Sequence, residues 1–462
     1  MNNQTFEFEG NRDYLRLLVS EKNTGELRNQ FSEMEDFDIA TFLTDLREDG
    51  EQLMVLTYLM LSKEQGAAVF AELDPPEQEL IINSISDSQL GALIEEMYVD
   101  DAVDLMEELP ANVVSRVMRT AKPNTRKLIN QYLKYPENSA GSIMTAEFVD
   151  LKKYMSVKES IARIRRIGDD KETIYVCYVT SADRKLEGVV TVKDLLLHDD
   201  DDILEDIMST NVIYTHTRAD QEEVVSIISD YDMLAVPVVD GENRLVGIIT
   251  VDDVIDVIQQ ENTEDFSKMA AINPSEETYF KTPIWKHAKN RILWLLFLML
   301  SASITGAIIT EYEAAFAAVP LLIAFIPMLM GTGGNCGAQS STMIIRGLAL
   351  DEINPKEIIK VILKELGIAL IIGIVLAIVN AIRVAIMYNS SDIKMELIWI
   401  VGITLMLTVI ISKILGAVLP IVAKACKIDP AIMASPLITT IVDTCSVLIY
   451  FKIALMFLPN IG

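Results

Sequence analysis

Cysteine, histidine and tryptophan are all scarce in this 462-residue chain, at four, three and three residues. Cys177, Cys336, Cys426 and Cys445 show no paired spacing, which excludes a disulfide framework and fits a reducing compartment. His198, His216 and His287 are scattered and complete no zinc signature with them. Basic residues are also short, 39 Lys and Arg against 67 Asp and Glu, for a net charge of −28. That deficit argues against nucleic acid and against anionic lipid headgroups, which both require Lys/Arg clusters. The opening Met1-Asn-Asn-Gln-Thr-Phe-Glu has neither a basic stretch nor an apolar core. No signal peptide is read, and the first half is expected to stay in the cytoplasm, where it is made.

What is present divides into two halves. Up to about residue 283 acids greatly outnumber bases, whereas from residue 285 onward the few charges nearly cancel. Hydrophobic residues make up 50% of the chain. At roughly 150 residues per domain the length suggests about three domains. An acidic polar half joined to a neutral apolar half points to a membrane protein with a large extramembrane part.

A short repeat runs from Leu61 to about Ala121. Leu61, Leu73, Ile85, Met97 and Leu109 stand twelve apart, with a second apolar column at Val69, Ile81, Leu93, Leu105 and Val117. Ser62 with Gln65 and Ser86 with Gln89 read as capping boxes, and Pro75, Pro76 and Pro110 suit first-turn positions. Units this small bury an apolar face only by stacking, so a superhelix of short helices is expected. Asp100 and Asp104 fall one turn apart on one face of such a helix, where a solvated acidic face is the plain alternative.

From Ser142-Ile-Met-Thr145 to Asp194, and again from Asp206-Ile-Met-Ser209 to Asp253, a β-α-β-β-α pattern is written twice. Strands are expected at 174–179 and 187–192, then at 235–239 and 245–250, with helices at 157–167 and 221–231. With Gly188-Val-Val-Thr191-Val-Lys-Asp194 and Gly247-Ile-Ile-Thr250-Val-Asp-Asp253, the two copies resemble a CBS-domain pair. That resemblance makes Thr191, Asp194, Thr250 and Asp253 candidates for holding the ribose of an adenine nucleotide such as ATP. The same residue types also cap helices without any ligand. Beyond the second copy, Asp253, Asp256, Glu261, Glu264 and Asp265 crowd one segment with no base before Lys268. Crowded carboxylates raise their own pKa values, and a hard divalent cation such as Mg²⁺ or Ca²⁺ relieves the repulsion. A connecting helix is expected from 267 to about 279.

Five membrane spans are read at about 292–310, 318–345, 367–387, 397–423 and 431–457, each sufficient for a ~30 Å core. Lys and Arg gather before the first, after the second and after the fourth, which places the N-terminus in the cytoplasm and the C-terminus outside. Asp443 falls near the middle of the fifth, where a carboxylate costs roughly 2.5–3.5 kcal/mol and usually marks transport. Ser435, Thr439 and Asp443 form one stripe at intervals of four. Span two adds Gly331-Thr-Gly-Gly334-Asn335 and Gln339, as either a close-packing seam or a pore lining. Mg²⁺ keeps its waters reluctantly shed, and hydroxyls and carbonyls can hold those waters.

Pro327, Gly331-Thr-Gly-Gly-Asn335, Gln339, Asp429-Pro430, Pro436 and Asp443, in this domain order, resemble the MgtE family of magnesium channels along essentially the whole chain. The resemblance implies a multidomain membrane protein: an α-helical superhelix over 1–135, an α+β CBS pair over 136–260 (136–200 and 201–260), a connecting helix over 261–290 and a five-span α-helical pore domain over 291–462. It implies a homodimer in the cell membrane, Asp443 as the pore carboxylate for hydrated Mg²⁺, and Asp100, Asp104, Asp232, Asp253, Asp256, Glu261, Glu264 and Asp265 as cytosolic sensor acids. Ala338, Ser435, Cys336, Ser446 and Gln260 depart from the family pattern. The function expected is Mg²⁺ uptake, shut off by Mg²⁺ on the acidic domain, rather than an enzyme activity. A proton- or sodium-coupled carrier is the alternative, although no paired internal repeat is visible among the spans. An intramembrane aspartyl hydrolase would need two carboxylates sharing a proton, and one chain offers a single midplane acid.

Overall fold

The twelve-residue period appears directly as helices. The computed structural model describes residues 12–275, 279–280, 282–312, 319–388, 394–433 and 435–458. In it Lys63–Ala71, Pro75–Ser84, Asp87–Glu96, Val99–Glu108, Ala111–Thr120 and Pro123–Tyr132 begin at intervals of twelve. The second apolar column, Val69, Ile81, Leu93, Leu105 and Val117, is buried throughout, and Ile129 extends it by one unit. Packing skips a unit: Lys63–Ala71 lies on Asp87–Glu96, which lies on Ala111–Thr120. A superhelix of stacked short helices follows.

Caps set the frame. Ser86 and Gln89 form a reciprocal capping box. Ser62 accepts from the Gln65 amide, but the Gln65 side chain donates instead to the Phe31 carbonyl at 2.6 Å. Pro110 stands at the N-cap, one place before the first-turn position expected of it. Arg116 reaches back to earlier units, donating to the Ile82 and Ile85 carbonyls and pairing with Asp87 at 2.8 Å. It satisfies carbonyls that the end of Pro75–Ser84 leaves free.

The two CBS-like copies each build a three-stranded sheet. Strands β1 (Asp150–Leu151), β2 (Val176–Thr180) and β3 (Leu186–Thr191) form one in that order, and β4 (Thr215–His216), β5 (Ala235–Val239) and β6 (Leu245–Thr250) form the other. Within each, the first pair is parallel and the second antiparallel. The Met-Thr and Met-Ser segments are exchanged between copies. Thr145 bridges Ile248 of the second sheet, and Ser209 bridges Val189 of the first. Gly188 and Gly247 permit this exchange. A Cβ at Gly247 would lie 2.7 Å from Met144 Sδ and from the Thr145 carbonyl oxygen, and Gly188 meets Met208 and Ser209 in the same way.

Two units are distinguished, Met1–Ile258 and Gln259–Gly462. The closing helix of the second copy, Val251–Met269, runs from the first unit into the second. It ends before most of the connecting helix expected at 267–279. Ala271 turns with a φ of 55°, and residues 272–275 follow without regular structure.

Among the described residues of the second unit, five helices are long and apolar enough to cross a membrane: Ile284–Glu311, Pro320–Ala349, Pro355–Met387, Met395–Ala425 and Pro430–Phe457. Their number agrees with the sequence reading, but several ends lie further out, as at 284, 349 and 355 against the expected 292, 345 and 367. The third begins twelve residues before the expected 367 and draws Glu365 into its helix. Spans two, four and five pack closely through glycines. A Cβ at Gly333 would lie 2.7 Å from Thr408 and 2.8 Å from Val442, and one at Gly337 would lie 2.6 Å from Ile438. Contacts to span five move backwards as span two advances, so these two helices run antiparallel.

Candidate functional site

Span two has two faces with different jobs. Gly333, Gly334 and Gly337 are buried, and a Cβ on Gly334 would lie 2.8 Å from Thr439 of span five. On the other face Gly331, Asn335 and Gln339 follow one another at helical spacing and are exposed in the single chain. The close-packing seam expected of this segment is therefore present, and the exposed residues Gly331, Asn335 and Gln339 lie away from it. Gly334 belongs to the seam.

Asp443 lies one turn beyond Thr439, towards the level of Gly331. Its Oδ1 is buried and has no hydrogen-bond partner. Thr440, a possible local partner, donates to the Pro436 carbonyl at 3.0 Å instead. Thr444 is held by Thr305 of span one at 2.7 Å. Ser435 opens the helix of span five, but its side chain lies outside the described residues. Ser446 donates to the Val442 carbonyl at 2.7 Å and faces Gly333, which makes it part of the seam.

The acids of the first unit gather differently from the sequence reading. Asp100 and Asp101 open the helix Val99–Glu108. Burial, then Asp101, Asp253, Glu147 and Glu172, push the Asp100 carboxyl well above the usual range. Burial, then Asp253, Glu72 and Glu147, raise Asp101 to about 6. Glu172 is raised to about 7 by burial and by Asp253, Asp252, Asp101 and Glu147. Asp253 is raised by burial and by Asp252 and Asp256, against the lowering effect of its bond from Thr250. The superhelix, the first copy and the closing helix of the second copy all contribute to this cluster.

Asp104 and Asp232 are exposed, Asp232 in the left-handed cap of Gln221–Tyr231. Asp101, Glu147 and Glu172 were missed in the sequence. Asp101 was adjacent to a chosen residue, but Glu147 and Glu172 lie in loops whose approach only the fold reveals.

In the second unit, Glu261, Glu264 and Asp265 form a separate group around Lys268. The Lys268 ammonium pairs with Glu264 at 2.5 Å and with Asp429 at 2.6 Å. Burial and Asp429 raise Asp265, while Lys268 opposes them. Asp256 is exposed on the closing helix. Among the described residues, no three Asp, Glu, His or Cys side chains are gathered closely enough to hold a metal ion directly. The unpartnered buried Asp100 Oδ1 and the mutual repulsion of its neighbours suit a cation that keeps its water shell.

The Thr/Asp pairs are capped. Thr191 donates to Asp194 Oδ2 at 2.6 Å and Thr250 to Asp253 Oδ2 at 2.7 Å. Thr191 also borders a largely apolar cavity of about 500 Å³ with Tyr175, Val176, Lys193 and Leu234.

Two charges inside the spans escaped the sequence reading. Glu365 of span three and Lys413 of span four are both buried, with Ser340 of span two beside them. Ser340 donates to Glu365 Oε2 at 2.5 Å, Lys413 Nζ donates to Ser340 Oγ at 3.1 Å, and the ions are 3.6 Å apart. Glu365 lies two residues before the expected start of span three at 367, and Lys413 lies inside the expected span four; neither was singled out.

Five apolar helices, with Asp443 in the fifth, joined to a helical repeat and a CBS pair, define a multi-pass membrane protein with a large acidic extramembrane part. Comparison with known proteins agrees. Family models match for a divalent cation transporter over residues 326–453, an MgtE intracellular N domain over 23–138 and CBS domains over 140–201 and 204–260. The magnesium transporter MgtE of Thermus thermophilus is 34% identical over 451 residues, 97% of this chain and 98% of that one. The magnesium transporter MgtE of Bacillus subtilis is 33% identical over 445 residues, 96% and 97% of the two chains. A crystal structure of the soluble part of a magnesium transporter superposes with a TM-score of 0.52 at 32% identity, covering 55% of this chain and 99% of that one. The chain belongs to the MgtE family of magnesium transporters.

Proposed function

We propose that this chain forms a Mg²⁺-selective channel that admits Mg²⁺ across the cell membrane and closes when Mg²⁺ accumulates at its acidic cytosolic part. The observation that carries the reading is that span five, with its unpartnered Asp443 oxygen, packs on span two, which bears the exposed face Gly331, Asn335, Gln339. Such a face would be costly against lipid, so a water path or a second copy must cover it. A homodimer with the path on its two-fold axis does both. Asp443 then supplies negative charge, while amide and hydroxyl groups hold the waters of an ion that sheds them reluctantly.

Closure follows from the acids. Without a divalent cation, Asp100, Asp101, Glu172 and Asp253 repel one another, and the contact between superhelix and CBS pair is strained. A cation held there through its waters favours the compact arrangement by its differential affinity for that state. The Thr191 cavity, lined also by Tyr175, is the proposed adenine-nucleotide site. Thermal stabilisation of the full-length protein by ATP, reduced in Tyr175→Ala, is the expected result.

Mg²⁺ uptake into liposomes tests the main reading. Wild type should take up Mg²⁺ in response to membrane potential, and Asp443→Asn should lose at least ~100-fold while remaining folded, because a buried charge dominates attraction in a low-dielectric path. Uptake driven by a pH or sodium gradient alone would favour a coupled carrier.

A further inference from the structure

We propose that Glu365 and Lys413 set the electrostatic potential of the ion path, with Glu365 the built-in counter-ion that masks a lysine charge close beside it. The inference rests on the channel reading above. Lys413 Nζ touches Ser340 Oγ, and Ser340 directly follows Gln339 of the exposed polar face. The lysine therefore lies across the width of span two from the proposed path, on the order of 10 Å. At that distance, in a medium of low dielectric, an unmasked positive charge repels a divalent cation strongly.

Packing alone gives no reason for such a pair. Replacing a buried ion pair by apolar residues is often neutral or stabilising, whereas removing one partner leaves an uncompensated charge. Ionisable groups within spans generally serve ion pathways. The three side chains also come from three different spans, so the charges are fixed in place rather than free to swing away. Glu365 accepts from Ser340 and faces Lys413, with each ion buried against the other. Neither residue is assigned contact with the ion; both act on it through the field.

The signs of single substitutions test this. Liposome Mg²⁺ uptake is measured for wild type, Glu365→Gln, Lys413→Met and the double variant, with size-exclusion profiles reporting assembly. Glu365→Gln leaves the lysine bare and should raise the half-saturating Mg²⁺ concentration about tenfold. Lys413→Met leaves the carboxylate bare and should lower it, and the double variant should return near wild type. Equal losses in both single variants would show a purely structural pair and overturn the proposal. Should either single variant fail to assemble, Glu365→Asp and Lys413→Arg keep the charges. Near-wild-type half-saturation supports the proposal, and a tenfold shift in either contradicts it. Wild-type uptake that does not depend on Asp443 would instead defeat the channel reading itself, so the two failures are distinguishable.

Discussion

Asp443 was conspicuous in the sequence because a carboxylate amid an uninterrupted apolar run has few reasons to be there. Glu365 and Lys413 were not, because one sat beside loop charges and the other had no visible partner 48 residues away. Pairing across helices is a tertiary fact. The glycines of span two show the same limit, since sequence could not divide them between seam and path. Substitutions should divide them. Gly333→Val meets Thr408 and Val442 and should destabilise by about 1–3 kcal/mol, lowering the melting temperature in detergent. Gly331→Ala has nothing within 4 Å and should leave that temperature unchanged. Any change in Mg²⁺ uptake by Gly331→Ala then reports on the path rather than on packing. Equal melting losses in both would refute the two-face assignment.

At the scale of elements, the helical repeat was legible because period, caps and prolines all agree on twelve. The strand pairs of the CBS copies were legible from their turns. The exchange of Met144-Thr145 and Met208-Ser209 between sheets was not, because nothing local distinguishes a strand that stays from one that crosses. The acidic cluster depends on that exchange, since Glu147 lies two residues beyond Thr145 and accepts from its hydroxyl at 2.7 Å. Its carboxyls have folded pKa values raised above the unfolded ones, so the folded state binds more protons between the two. With ordinary values of 3.8 and 4.5, and folded values of about 6 for Asp101 and about 7 for Glu172, the stability these two groups contribute is fully present below about pH 4 and is lost as pH rises through 6 to 7. In chelator, protease resistance of residues 12–258 in the full-length protein should thus decline from pH 5 to pH 8. Millimolar Mg²⁺ should flatten the decline, and Asp101→Asn with Glu172→Gln should abolish most of it. Resistance that rises with pH in chelator would count against the cluster.

For the molecule as a whole, the division into an acidic part and an apolar part was clear from charge alone, and five spans were countable from apolar runs. Their true lengths were not, because the helices of the first and third spans continue into segments carrying Lys286, Lys289 and Lys360. The acids from 253 to 265 read as one crowded segment, set beside Asp100, Asp104 and Asp232 only by the resemblance, but the fold sorts that segment into two groups. Asp253 joins the superhelix and first copy, while Glu264 and Asp265 gather with Lys268 and Asp429. Lys268→Ala should therefore change the Mg²⁺ dependence of closure, by a few-fold in midpoint, by freeing Asp429 and Glu264 for a divalent cation. A midpoint unmoved in Lys268→Ala would remove that second group from the account.

The central claim joins a conducting Asp443 path to closure by cytosolic Mg²⁺. It is tested most directly by recording Mg²⁺ current from excised membrane patches while Mg²⁺ is stepped at the face bearing residues 1–258. The account predicts unitary currents that vanish in Asp443→Asn and whose open probability falls as that Mg²⁺ rises through the millimolar range. Flux without unitary current, or an open probability indifferent to Mg²⁺ at that face, would contradict it.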